Sequence, residues 1–577
     1  MYYSFKKYKI QYFSDSIEIA DKQFFSYARI ILLNEFDQQI TSLERGIVEY
    51  DELIQELKTH KRIILDYCFV KDFDINKIKK TLNQDNLEIE ELSAQHTIFE
   101  SNSEINFSNL LLTQEELSFN DSYILKGKLN FHASRLASKI NNFKNIVFNH
   151  GEIDFSNVTF GEKENTFKNS VFQNGFKNFQ YANFSLGEAN FTNVSFGNGD
   201  VSFINADFKN AKPTFKVSTF ENGKVDFHYA HFGDKNISFE RVNFGEGAVD
   251  FSKVELGSGK INFNRSLFSK GDINFEGIEL ENGKLTFKRT TFLDNYINFT
   301  EANCKGSTLL FQAAHLGISR FNFQKLTAKN ISFISCHLNN YVDFRVKDVH
   351  TIDLGGTVVR DILDFIPYKN NVNIKILNLD GMRLIGKIFL DWNKNDVYNL
   401  IHRQEESSNI QKAYQFRLLK ENFHNTGEYE AEDKAYIYFK RYESISILKT
   451  DLNKNIWSKL TAYPNYYFKD LLLDKAGLYA TAPLRVLWSM FISYIFFSLL
   501  LITSTLMQVG NLSGSEDVSL MSIIGDDFYF SAITYLTVGY GDFCPLGINR
   551  WIAGIEGFVG VFLMAYFTVA FVRKILR

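Results

Sequence analysis

Proline and cysteine are scarce: the 577 residues include five prolines and four cysteines. Cys68, Cys304, Cys336 and Cys544 stand far apart with no CxxC spacing. Disulfide frameworks and zinc sites are therefore not expected, which fits a reducing compartment. A basic excess is missing too. With a formal net charge of −4, electrostatics make no case for a nucleic-acid partner. The opening residues, Met1-Tyr2-Tyr3-Ser4-Phe5-Lys6-Lys7, hold no continuous apolar run of the kind a secretory leader carries. No nucleophile–base pair, metal cluster or nucleotide motif stands out, so an enzyme is not expected and no cofactor is implied. His402 and His424 lack metal-ligand spacing to carboxylates and read as surface histidines. The length calls for several domains.

What the chain has in excess is phenylalanine, 58 residues, and its placement is periodic. From Phe107 to Phe323 a phenylalanine recurs every twelve residues, as in Phe155, Phe167, Phe179 and Phe191. A second apolar column follows each by five residues: Phe160, Phe172, Phe184, Phe196 and their successors, with Leu256, Leu280 and Leu316 as replacements. A fixed period held this long means a solenoid. Glycines at Gly151, Gly175, Gly199, Gly223, Gly247 and Gly271 repeat every 24 residues, so one coil is expected to hold two units. Nineteen units then give nine to ten coils, a rod of roughly 45 Å at ~4.8 Å per coil. The period breaks at Phe333 and Phe344, where irregular last coils are expected, closing near Trp392. Asn, Asp, Ser or Thr usually precedes each column Phe, for example Asn130, Asn190, Asp226 and Asn298. This row is either a repetitive recognition surface or a solvated row with stacked side-chain hydrogen bonds.

The five-residue step between the columns resembles the pentapeptide-repeat family, which implies a four-sided, right-handed β-helix. The two extra residues per unit fall where Gly is common, as in Gly197-Asn198-Gly199, and read as corner loops. Acids and bases are nearly balanced along the repeat, so DNA mimicry is discounted.

Before the repeat, Phe36, Ile40, Leu43, Ile47, Tyr50, Ile54 and Leu57 step by four and three. That predicts an amphipathic helix, either a contact between subunits or a cover over the end of the solenoid. After it, 407–425 and 428–443 read as a helical hairpin with Gly427 as the stop signal. The segment Tyr466-Tyr467-Phe468-Lys469-Asp470-Leu471-Leu472-Leu473 is aromatic and amphipathic. It would lie along the inner membrane interface or pack as an ordinary helix.

Two apolar runs, Val486–Met507 and Trp551–Val572, are each long enough to span a hydrocarbon core of ~30 Å. Between them lie Glu516, Asp517, Asp526, Asp527 and Asp542 against the single base Arg550, while Arg485, Arg573, Lys574 and Arg577 flank the runs. The positive-inside rule puts both ends in the cytosol and the connecting loop outside. No helix carries Arg at every third position, so an S4-type voltage sensor is not expected. Phe528–Leu536 reads as a short re-entrant helix of about two turns, followed by Thr537-Val538-Gly539-Tyr540-Gly541-Asp542.

That stretch, with its helix and two spans, resembles the pore module of two-transmembrane potassium channels, whose TVGYG loops coordinate the ion. The resemblance implies that carbonyls of Thr537, Val538, Gly539, Tyr540 and Gly541, with the Thr537 hydroxyl, replace the water shell of K+, the only metal implied. It implies support of the filter by Asp542, Tyr529, Phe530 and Glu556. A Tyr529 hydroxyl bond to Tyr540 is possible, and Phe530 can only pack. Gly560, in Glu556-Gly557-Phe558-Val559-Gly560, matches a gating-hinge position; close helix packing is the alternative. Leu536 departs from the family's second threonine.

The expected architecture is therefore a multidomain membrane protein. It comprises an N-terminal helical cap (1–104), a pentapeptide-type β-helix (105–350), irregular terminal coils (351–395), a helical hairpin (396–448), an interfacial linker (449–485) and an all-α two-span pore (486–577). The leading functional expectation is a homotetrameric potassium channel of the plasma membrane, its solenoid serving an unknown cytosolic ligand or protein. The alternative is a membrane-tethered binding scaffold with a vestigial or non-selective pore. With little chain after the second span, a cytosolic signal is expected to arrive through Tyr466–Arg485 and the first span.

Overall fold

The computed structural model describes every residue except 1–4, 85–86, 114–115, 137, 185–186, 368–370, 515–518 and 577. Glu516, Asp517 and Arg577, counted above among the charges around the spans, lie outside the described residues. Two compact units are present, Met1–Gln404 and Glu405–Arg577.

The first unit is a parallel β-solenoid from residue 46 to 389, with about fourteen turns. Its coil is two repeat units. Ile153 pairs with Lys177, Lys177 with Val201, Val201 with Val225 and Val225 with Val249, each 24 residues on. Four separate columns run through each coil, shown by the pairs Ile237–Ile261, Asn243–Leu267, Val249–Ile273 and Glu255–Glu279. The rod is four-sided for that reason.

Phenylalanine fills the interior because two kinds of ring contact recur along it. Rings one coil apart stack, as in Phe167–Phe191 at 4.9 Å and 1°. Rings half a coil apart meet edge to face, as in Phe155–Phe167 at 5.4 Å and 85°. Both geometries suit the aromatic quadrupole, and the rings are essentially inaccessible to water. Burying each one contributes roughly 1.5–3 kcal/mol.

The polar residue before each Phe makes a local turn. Asn130 Oδ1 accepts from the His132 amide at 2.9 Å, Asp226 from His228 at 2.9 Å and Asn298 from Thr300 at 3.1 Å. Some of these side chains also bridge coils, such as Asn298 Nδ2 to Asn274 Oδ1 at 3.1 Å. Asn and Asp are the residues that close such turns. The row is thus occupied with folding the corner.

The rod is longer than nine to ten coils because it starts before the phenylalanine period. Ile63 pairs with Leu92 and Leu92 with Leu117, so early coils use Ile and Leu inside and vary in length. The breaks at Phe333 and Phe344 leave the stack intact: Phe311–Phe333 and Phe344–Phe365 still stack at 4.6 and 5.0 Å. Coils shorten to 21 residues (Val342–Leu363), then lengthen to 25 (Leu363–Ile388); the shortening begins inside a strand pair, where the register shifts between Cys304 and Thr308.

The N-terminal helical cap is corrected. Gln39–Ile47 is a strand paired antiparallel with Tyr27–Leu33, which pairs with Lys7–Phe13. Among the described residues of this segment, helix is confined to α1 (Tyr50–His60) and α2 (Ile75–Leu82). The strands win because their apolar residues close one cluster: Phe5, Ala28, Ile30 and Leu32 meet Phe69, Ile98 and Tyr123, with Ile40, Leu43 and Ile47 against it. A helix at 36–47 would break that pairing.

A short helix, α3 (Val397–His402), ends the first unit. The second is helical. Its hairpin is α4 (Asn409–Thr426), opened by a Ser408–Gln411 capping box and closed by Gly427 at φ 78°, and α5 (Tyr429–Leu452). Next come α6 (Ile456–Lys469), capped by Asn455, and one π-helical segment, Asp470–Lys475. The outer span is α7 (Pro483–Leu506), the short helix α8 (Leu520–Tyr535) and the inner span α9 (Asn549–Ile575). The two spans have mean hydropathy 2.1 and 2.0.

Candidate ion pathway

The helix α8 between the two spans is longer than the two turns expected. The Ser519 side chain caps it by accepting from the Ser522 amide, so helix begins at Leu520, eight residues before Phe528. It stops at Leu536, and the next residues leave helical geometry in alternation. Thr537, Gly539 and Gly541 have φ of 56°, 55° and 82°. Glycine takes that region without a Cβ penalty, whereas Thr537 pays one. Amide groups at the start of the stretch point back: Thr537 N–H donates to Thr534 O at 3.1 Å, and those of Val538 and Gly539 both reach Ile533 O, at 2.7 and 3.3 Å. Residues 536–541 are all exposed in the single chain.

Around this stretch the expected supports divide. Phe530 is 5% exposed and packs in a cluster with Leu501 and Leu512. The Tyr529 hydroxyl stands beside the Asp542 carboxylate, and its ring meets Phe543 edge to face at 5.9 Å. No Tyr529–Tyr540 hydrogen bond is found among the described residues. Glu556 is fully buried and accepts from the Ser531 hydroxyl of α8. Ser498 Oγ of α7 lies 2.9 Å from Ser531 Oγ. Three helices are thus joined by one buried polar chain, which offsets the cost of a carboxyl group at this depth. Ser498 and Ser531 were not singled out in the sequence; lone serines in apolar runs carry no distinguishing pattern. Tyr535 and Ser493 add a second link, hydroxyl to hydroxyl at 2.5 Å.

Gly560 is where α9 passes the end of α8. A Cβ built there would lie 2.0 Å from Tyr535 O, so the glycine is required by close approach.

At the other end of α9 the structure adds a contact that the sequence reading lacked. Arg573 Nη2 and Lys574 Nζ donate to the two oxygens of Asp433 on α5, at 3.0 and 2.7 Å. The Arg573 guanidinium also lies 4.6 Å from the Tyr436 ring centre. The Tyr566 hydroxyl donates to Leu473 O and accepts from the Ala480 amide, both at 2.8 Å. Arg441 on α5 grips Asp474 with two hydrogen bonds of 2.7 and 2.9 Å, and that pairing raises the Arg441 pKa above its ordinary value. α5 thus touches the end of α9 directly, a contact outside the expected route through Tyr466–Arg485 and the first span.

With this geometry in view, the family comparison is decisive for the C-terminal part: the model described as "Ion channel" matches residues 487–577. These residues form an ion-channel domain of the two-span type. The chain is also similar to two curated proteins named LctB. The one from Bacillus caldotenax is 47% identical over 53 residues, 9% of this chain and 38% of its own length. The one from Geobacillus stearothermophilus is 47% identical over 45 residues, 8% and 34% respectively. The chain thus spans about a third of the length of these relatives. No solved structure matches. A channel domain joined to a β-solenoid makes this a membrane protein whose C-terminal part belongs with channels rather than enzymes.

Proposed function

We propose that the protein is a potassium-selective channel, conducting passively across the plasma membrane as a homotetramer with both chain ends in the cytosol. The observation that carries this is the run of alternating left-handed residues Thr537, Gly539 and Gly541 at the end of a re-entrant helix. Alternation of this kind lets successive carbonyls, those of Thr537, Val538, Gly539, Tyr540 and Gly541, face one side. Irregular backbone at membrane depth is tolerable only along a wet path. Exposure of 536–541 in one chain fits a pathway completed by further copies. Asp542 and Tyr529 steady the filter from outside, Phe530 and Glu556 from behind.

The linker helix α6 lies in the inner interface in this reading. Ile456, Trp457, Leu460, Tyr463, Tyr467 and Phe468 recur on one helical face and are all exposed, the pattern of an in-plane amphipathic helix. Gating signals reach the inner span by two routes, through Tyr566 from the linker and through Asp433 from the hairpin. The solenoid serves as a sensory or partner-binding domain.

The test is potassium flux from liposomes holding the purified protein. Efflux of K+ and Rb+ with Na+ retained supports the proposal; equal release of all three refutes selectivity.

A further inference from the structure

The rod segregates charge on two neighbouring sides, and none of the features above uses it. Arg241, Arg265 and Arg289 occupy the same left-handed corner on three successive coils, with φ of 58°, 61° and 56°. Lys260 and Lys284 are direct cross-strand neighbours on the side leading to that corner. Lys288 follows beside them, and Glu240 is the acid on this strip. Like charges stacked one coil apart repel. Among the described residues none of the three arginines, nor Lys260, Lys284 or Lys288, has a carboxylate within ion-pair distance, whereas Lys212 nearby pairs with Glu188 at 3.6 Å. The column keeps its repulsion without an internal partner.

The adjoining side carries the opposite sign. Asp207, His231, Glu255 and Glu279 stack in register there. With Asp234 and Glu281 they line a groove of about 520 Å³ that contains one lysine, Lys209. Within this column His231 Nδ1 meets Glu255 at 2.8 Å; Glu279 has no ion-pair partner among the described residues.

We propose that the basic corner of one rod docks on the acidic side of the rod in the next copy of the chain, so that the solenoids form a closed ring. This rests on the tetramer reading above. A ring of four identical chains has head-to-tail interfaces, in which two different patches must complement each other. The directions from one member of such a ring to its two neighbours lie at right angles. By chain order the lysine side, with Lys260 and Lys284, follows the acidic side directly and carries the arginine corner at its far edge, so the two patches lie on adjacent sides of a four-sided rod and span overlapping coils. A weak contact suffices, because attachment to a shared pore holds the rods at high effective concentration.

The test uses full-length chains carrying Cys544→Ser, co-expressed in two versions. One bears Arg265→Cys and the other Glu255→Cys, so a disulfide between these positions can form only between chains. Mild oxidation is expected to give a cross-linked dimer at least about tenfold above a control pair, Arg265→Cys with Asn274→Cys on another side. Arg241→Glu with Arg289→Glu on the first chain should lower the yield about tenfold, and Asp207→Lys with Glu279→Lys on the second should restore it. A four-chain complex with no cross-link above control overturns the ring. Capture of phosphatidylglycerol vesicles by that complex, lost with the arginine reversals, would instead assign the corner to a lipid surface. An uncross-linked complex of other than four chains refutes the tetramer itself.

Discussion

Replacing Gly560 by alanine separates two explanations for one residue. The added Cβ would meet Tyr535 O at 2.0 Å, Tyr535 C at 2.9 Å and Tyr535 Cα at 3.3 Å. Ordinary contact needs roughly 3.5 Å, so α9 and the end of α8 must part by about 1.5 Å. The obstacle is backbone, which cannot swing aside as a side chain can. Overpacking of this kind costs about 1–3 kcal/mol, minus up to ~1 kcal/mol returned by alanine's better helix propensity. Gly557→Ala is the control, since its Cβ would sit 3.8 Å from Thr534 O. Heat resistance of the purified oligomer is the readout, with open probability recorded in parallel. Gly560→Ala is expected to melt earlier than wild type, and Gly557→Ala to be neutral or better. A Gly560→Ala channel of undiminished heat resistance but altered opening would refute the packing account and restore the hinge.

Ser531→Ala removes the donor to buried Glu556 and is expected to destabilise the channel domain by about 1–3 kcal/mol, read by thermal unfolding in detergent. Asp433→Asn weakens both contacts to the end of α9; truncation by Asp433→Ala should cost more, about 1.5–3 kcal/mol, and should change the response of open probability to deletion of residues 1–404. Unchanged gating in Asp433→Ala would remove the hairpin from the gating route. In the rod, burial lowers the Lys177 pKa to about 8, while its Nζ donates to Gln173 O and Asn198 O at 2.7 and 3.0 Å. The unfolded chain, with a lysine pKa of about 10.4, binds more protons between those values, so stability should rise as pH increases from about 8 to 10 and be flat with respect to this group below that. Denaturant unfolding of Lys177→Met should lose that rise.

The sequence made the rod's coil legible because one residue type at one spacing reports directly on stacking, and Phe needs a column of its own size. It was silent about the first coils, where Ile63, Leu92 and Leu117 do the same work without a period. At Phe36–Ile47 steps of three and four imitated a helix; the decisive partners, Ala28, Ile30 and Leu32, lay on another strand. The two apolar spans and the helix between them were readable from hydropathy. The clamp between Asp433 and the Arg573–Lys574 pair was not, since some 140 residues separate its members and charged residues on a helix ordinarily face water. Ser531 was hidden for a similar reason: one hydroxyl in an apolar helix has meaning only beside Glu556.

The central claim is that residues 537–541 select potassium. A planar-bilayer recording of the reconstituted full chain, with K+ and Na+ gradients opposed, tests it most directly. The account predicts a reversal potential that follows the potassium gradient, and loss of that selectivity in Gly539→Ala, where φ is 55°. A reversal potential near zero under the same gradients, or no conductance at all, would contradict it.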